Sequence, residues 1–196
     1  ANITEKNKPY LRGFGYQGGA RPLGNANGQI PGIGQAFKEA HRTAGPWRVS
    51  VGAFGEQLPN PNNRVTLHAA RRDRWGNPLA LFDVRYSDNE RIMLEEARKD
   101  AVAMLEVAGC SNINSSPVNL TRPGNRIHEM GSARMGRDPT TSVLNGWCQA
   151  HDIPNLFITD GSFMASSACQ NPSLSYMAFS ARAVDYAVGL LAEGKI

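Results

Sequence analysis

Alternation of apolar and polar residues predicts β-strands in the first half of the chain, each bounded by residues typical of turns. The predicted strands are 47–55, 64–68 and 79–86. Because short turns rich in Pro, Asn, Asp and Gly join consecutive strands, we expect antiparallel pairing between them. Residues 1–47 carry frequent glycines and are predicted to be irregular, with short strand-like pieces such as 10–12.

A long helix is predicted to begin after Ser87. Ser87 and Glu90 have the spacing of a capping box, in which each side chain accepts a hydrogen bond from the backbone N–H of the other residue. Apolar residues then recur on one helical face as far as Ala108, and Gly109 is suited to end the helix. The methionines of this face are expected to fill the core.

The last seventy residues predict a strand, a loop and a second long helix. A short buried strand is predicted over 155–159, with Asp160 and Gly161 at its carboxyl end. We expect Asn171 as N-cap and Pro172 at the first helical position. The apolar face of this helix, which ends at Gly194, consists of Leu174, Met177, Ala178, Ala181, Val184, Val188 and Leu191.

Composition is that of a loop-rich globular protein, with 41% hydrophobic residues, 20 glycines and 12 prolines among 196 residues. This length suits one ordinary domain or two small lobes. The first six residues lack the apolar core of a signal peptide. The net charge of +4 comes from scattered residues. Because the densest basic cluster, 71–74, suits a solvated hairpin end, we expect no nucleic-acid interface.

Two motifs that carry chemistry in other proteins are discounted here. The glycines of 13–18 have GxGxxG spacing, but Gly-Ala-Arg-Pro follows them instead of a helix, so they predict no dinucleotide site. Cys148 and His151 form a single C-x2-H pair without a second pair, which is too little for a metal site. The three cysteines are expected to be reduced.

Three features could form a ligand site. Asp160 follows a strand, where ligands of sheet proteins gather. The N-terminus of the following helix, at Asn171 and Pro172, favours negative charge, although a purely structural helix start fits the pattern equally well. His128 lies in a glycine-bounded loop and could transfer a proton near neutral pH, although lone histidines are more often structural.

Four separated blocks, 128–136, 142–145, 154–162 and 171–174, together resemble the C-terminal signature of the glucose–methanol–choline (GMC) flavoprotein oxidoreductases. The variant is most similar to bacterial sugar-oxidising members. The resemblance implies an α+β fold: 1–125 would be an antiparallel-sheet segment of the substrate domain. Residues 126–196 would return, by a strand and a helix, to a Rossmann-like FAD-binding domain.

The resemblance also implies FAD as cofactor and oxidation of a sugar or related alcohol. His128 would accept the hydroxyl proton, and Asn171, which is too weak a base, would orient the substrate hydroxyl. Asp160, Gly161, Asn171, Pro172 and Ser173 would contact FAD. The alternative is a non-catalytic subunit or binding module with the same fold, although the presence of both His128 and Asn171 argues against it.

The N-terminal Rossmann fingerprint that holds the ADP half of FAD in this family is absent from the sequence. The resemblance therefore implies a partner, either a missing N-terminal portion or a separate FAD-binding chain. The electron acceptor stays open, as does the location between the bacterial cytoplasm and the periplasm.

Overall fold

A computed structural model describes residues 7–23, 32–42, 45–121, 123–124 and 127–196. It contains mixed α and β structure with two small antiparallel sheets. In chain order the elements are β1 (Phe14–Pro22), α1 (Gly34–Arg42), β2 (Trp47–Gly55), β3 (Arg64–Arg72), β4 (Pro78–Asp83), α2 (Asp88–Val107) and α3 (Ser173–Ala192), with a single 3₁₀ turn at Gly161–Phe163 before α3. The α+β class predicted from the sequence is confirmed at this level.

The first sheet pairs β1 with β2 over their whole lengths, from Phe14 opposite Gly55 to Pro22 opposite Trp47. The prediction that residues 1–47 are irregular is therefore wrong for β1 and for α1. Glycines interrupt the apolar alternation of β1 and hide it from sequence analysis. One of them, Gly18, is required by close packing, because a Cβ there would collide with the Ser50 carbonyl oxygen.

The second sheet is the hairpin of β3 and β4, in which Val65 lies opposite Phe82. The predicted turn between the strands is confirmed, since the Asp73 carboxylate accepts hydrogen bonds from the Trp75 and Asn77 backbones. The strand predicted over 64–68 continues to Arg72 through a register shift. The prediction that consecutive strands pair is wrong for β2 and β3, because β2 pairs with β1 instead.

Helix α2 packs against the sheet of β1 and β2. The capping box at its start is present, and Gly109, with φ +76, follows its end as predicted. Met93 and Ala97 are buried with Tyr10 and Phe14 in the first of two core clusters. The expectation that the methionines fill the core holds for Met93 but is wrong for Met104, which is 44% exposed, because the sheet covers only the first half of the helix.

The second core cluster lies in the C-terminal part and is built from the buried residues Ala133, Leu144, Cys148, Ala150, Phe163 and Ala183. The strand predicted over 155–159 is wrong, because this segment forms only an isolated bridge, Phe157 with Gln149. Single backbone hydrogen bonds join it to its neighbours, from Ala150 N to Leu156 O and from Ile158 N to Cys148 O. A run of strand needs a continuous partner, which the described residues do not supply.

The apolar face predicted for α3 exists but is not covered by the described part of the chain. Leu174, Met177, Val184, Val188 and Leu191 are between 59% and 78% exposed. The helix instead packs on its other side, through Tyr176, Phe179 and Ala183.

Among the described residues, no helix is both long and apolar enough to cross a membrane.

Candidate active site

His128 lies in the loop that the sequence predicted, half-buried, with a left-handed backbone φ of +67. This conformation is uncommon for residues other than glycine and is often found at functional sites. Its ring makes no hydrogen bond to the described part of the chain. The imidazole therefore keeps both nitrogens available for a ligand.

Gly161 is where three segments of the site meet. A Cβ at this position would lie 2.7 Å from the Tyr176 hydroxyl, 3.0 Å from the Met130 sulfur and 3.2 Å from the Glu129 carbonyl oxygen. Only glycine allows so close an approach of these groups. Gly161 thus brings the loop that follows His128 against both the 3₁₀ turn and the first turn of α3.

Backbone hydrogen bonds extend this contact. Ala133 N donates to Ser162 O at 3.1 Å, and Met135 N donates to Phe163 O at 2.8 Å. Because two successive bonds of this kind fix both position and direction, the His128 loop and the Asp160–Gly161 turn form one packed unit. The two segments are 32 residues apart in the sequence, and no local sequence pattern indicates that they are in contact.

Asp160 caps the 3₁₀ turn. The hydroxyl and the backbone N–H of Ser162 both donate to its carboxylate, and these bonds hold the pKa of Asp160 below its ordinary value. Burial, together with the nearby charge of Asp160, raises the pKa of Tyr176. Asp160 therefore stays ionised and Tyr176 stays neutral at physiological pH.

The start of α3 differs from the prediction. Pro172, not Asn171, occupies the N-cap position, and no side chain caps the helix. Proline offers no side-chain oxygen, so the N–H groups of the first turn are left without a side-chain acceptor. Asn171 is exposed, and its amide makes no hydrogen bond to the described residues. Its freedom suits a ligand contact better than a capping role.

Tyr176 is the site residue that sequence reasoning missed. Its hydroxyl lies 3.7 Å from the Met130 sulfur, and its ring packs edge-on against Phe163 at 6.2 Å. It therefore links α3 to the other two segments. In the sequence it is one aromatic residue within a predicted helix. The one signal for a role in the site is its position one turn after Pro172.

A Ser–His–Asp grouping lies nearby but has the wrong hydrogen bonds for a nucleophile. Ser142 Oγ lies 3.0 Å from His151 Nε2 and donates to the Asp138 carbonyl oxygen at 2.7 Å. Since the hydroxyl proton is already used, His151 acts there as donor, not as base. Its neighbour in the sequence motif, Cys148, is buried against the Met135 sulfur at 3.6 Å. No group of metal-ligating residues occurs in the part of the chain described.

Comparison with known proteins gives the family. A family model described as GMC oxidoreductase, for the C-terminal domain, matches residues 59–180, more than half of the chain. A 2-methyl-1,2-propanediol dehydrogenase of Mycolicibacterium austroafricanum is 31% identical over 93% of the chain and 34% of its own length.

Two further relatives are similar over most of the chain. They are the fructose dehydrogenase large subunit of Gluconobacter japonicus, 32% identical over 83% of the chain and 29% of its own length, and a pyranose 2-oxidase of Lyophyllum shimeji, 27% identical over 72% and 23%. The chain spans only a quarter to a third of these curated relatives. With the family model and the relatives in agreement, the chain belongs to the GMC oxidoreductase family and corresponds to its C-terminal part.

Proposed function

We propose that this chain is the C-terminal catalytic portion of an FAD-dependent oxidoreductase that oxidises the CH–OH group of a sugar or related alcohol. The observation that carries the proposal is the packing around Gly161. It gathers the loop of His128, the Asp160 turn and the open end of α3 in a chain of the GMC family. The names of the relatives, which include a fructose dehydrogenase and pyranose oxidases, support a sugar or alcohol as substrate.

The residues present fit a flavin cofactor. The first turn of α3 has N–H groups without a side-chain acceptor and the positive end of the helix dipole, which suit the negative charge of a reduced flavin. Asn171, Pro172 and Ser173 would hold that part of the cofactor. Asp160 and Gly161 would contact the ribityl and pyrophosphate part. Bound FAD would supply the hydride acceptor.

Two side chains would act on the substrate. The free imidazole of His128 would accept the proton of the reacting hydroxyl at a ring nitrogen. The free amide of Asn171 would donate a hydrogen bond to the oxygen of that hydroxyl and hold it in position. Both side chains lack partners in the described part of the chain, which supports these roles.

The proposal includes a partner, the N-terminal part of the full-length protein or a separate chain equivalent to it. The accessible surface of the chain is 14430 Å². A compact monomer of 21.3 kDa would expose about 9,100 Å². The excess is several times the area that one partner buries in a standard interface, about 800 Å². The exposed apolar face of α3, which we call its outer face, contributes to this excess area. The FAD-binding domain would cover it.

The domain division stays a prediction. Residues 1–125 would belong to the substrate domain, and 126–196 would return to the FAD-binding domain. The two core clusters support this division, because each draws its buried residues from one side of it.

The test is a substitution in the full-length, flavin-loaded protein. His128→Ala should lower turnover of sugar substrates at least ~100-fold while flavin absorbance is retained, as expected for loss of a general base. His68→Ala is the matched control, because His68 lies in β3 and its ring accepts only from nearby backbone N–H groups. Turnover of His128→Ala within a few-fold of wild type would contradict the role of His128 as the general base.

A further inference from the structure

The sheet of β1 and β2 has two faces. One face packs against α2, and the loop that contains Cys169 contacts the other. Side chains alternate along a strand, so Phe14 and Tyr16, which pack in the core beneath α2, point one way and Gly15 points the other. On that other face Gly15 meets Cys169. A Cβ added at Gly15 would lie 2.8 Å from the sulfur and 3.5 Å from the Cβ of Cys169.

The loop that contains Cys169 has little else to hold it. Residues 165–171 make no backbone–backbone hydrogen bond to the described part of the chain, and the Ser167 hydroxyl bonds only within the loop, to Ala168 O. A segment without such bonds depends on van der Waals contact for its position. Asn171 follows Cys169 by two residues in the same loop, so it would move if the loop backbone, and not only the sulfur, yields to a methyl group at position 15.

We propose that Gly15 is a positioning residue for the reaction, which acts through Cys169 to set the place of Asn171. This inference rests on the proposed function, because it takes the role of Asn171 from there. Contact between an alanine at position 15 and the sulfur would have to open by about 0.7 Å to reach an ordinary van der Waals distance. A shift of about 1 Å in a positioned group can cost about 100-fold in rate, so the expected loss is well above experimental error.

The first experiment measures the packing without any cofactor. The full-length protein without bound flavin and its Gly15→Ala variant are treated with iodoacetamide, and labelling of Cys110, Cys148 and Cys169 is followed by peptide mass spectrometry. Cys169 is half-buried in the wild type. Its labelling should be several-fold faster in Gly15→Ala, because the loop is displaced from the sheet. Cys148, which is fully buried, serves as the internal check that the core is intact.

The matched control is Gly19→Ala. Gly19 lies on the same strand and the same face, and a Cβ there would meet nothing within 4 Å. Neither glycine has a positive φ, so alanine fits the backbone of both. Equal labelling of Cys169 in Gly15→Ala, Gly19→Ala and wild type would overturn the inference.

The second experiment measures kinetics in the full-length, flavin-loaded protein. Gly15→Ala should lower kcat about tenfold with a small change in KM, since orientation of the bound substrate is lost and not its binding. Adding Cys169→Ala removes the sulfur that the new methyl group meets and should restore most of kcat. If kcat stays low in the double variant, or is normal in Gly15→Ala, the inference is wrong. Failure of the proposed function is distinguishable, since Asn171→Ala would then also leave kcat unchanged.

Discussion

Replacement of Glu90 by glutamine should destabilise the chain by about 2–3 kcal/mol. Glu90 is 3% exposed, and its carboxylate accepts three hydrogen bonds. One comes from Leu58 N at 3.0 Å, and two come from the backbone N–H and the hydroxyl of Ser87, both at 2.6 Å. These bonds close the capping box of α2 and fasten the segment after β2 to the start of that helix.

The magnitude follows from counting acceptors. A hydrogen bond to a charged group is worth about 1.5–3 kcal/mol, and a buried donor left without an acceptor costs about as much. Glutamine has one acceptor oxygen, so its amide nitrogen must face either Leu58 N or the Ser87 donors, and at least one bond is lost. The Ser87 hydroxyl can turn away, which limits the loss to about one charged bond.

The assay is urea denaturation of the 196-residue chain, followed by circular dichroism at 222 nm. At a slope of about 2 kcal/mol per molar urea, the midpoint should fall by about 1 M with the slope unchanged. Glu95→Gln is the matched control, because Glu95 lies on the same helix but is only partly buried and pairs with Arg98 near the surface. We expect little change there. A midpoint for Glu90→Gln equal to that of the control would refute the reasoning.

Three other outcomes are expected. Although burial alone would raise it, the pKa of Glu90 is lowered by hydrogen bonds from Leu58 and Ser87. Its stabilisation is therefore complete above the unfolded value of about 4.3 and lost as pH falls through the lower folded pKa, so the wild type and Glu90→Gln should converge in acid denaturation curves. Gly161→Ala should release flavin from the full-length protein, as measured by the absorbance ratio, and Tyr176→Phe should partly restore binding by removing the hydroxyl 2.7 Å away; no recovery would contradict the steric cause. Val184→Asp should leave the helix content of the 196-residue chain unchanged but prevent flavin loading of the full-length protein, and normal loading would contradict burial of the outer face of α3.

The elements predicted best from the sequence are those whose signals are local. Helix α2 begins and ends as predicted, because a capping box and a left-handed glycine act within a few residues. The turn at Asp73 was predicted for the same reason. Strand β1 was missed because its glycines serve contacts with Ser50 and Cys169, which are distant in the sequence.

The start of α3 also shows that local residue preferences do not determine where an element begins. Asn171 and Pro172 have the residue types of an N-cap and a first helical position, yet the helix begins one residue later and the Asn171 amide is left free. Local preference could not reveal this, because the path of the preceding loop decides where the amide lies. The segment 155–159 has the composition of a buried strand but lacks a continuous partner among the described residues.

Two requirements conflict at position 128, namely a left-handed backbone conformation and, under the proposed function, a side chain that accepts a proton. At a φ of +67, glycine would cost the least conformational energy, but it has no ring to take a proton. Under the proposed role, selection for thermal stability and selection for turnover therefore act in opposite directions at this position. A library screened for heat resistance alone should accumulate glycine or asparagine at residue 128 and lose the proposed activity, so engineering of the protein would have to hold that position fixed.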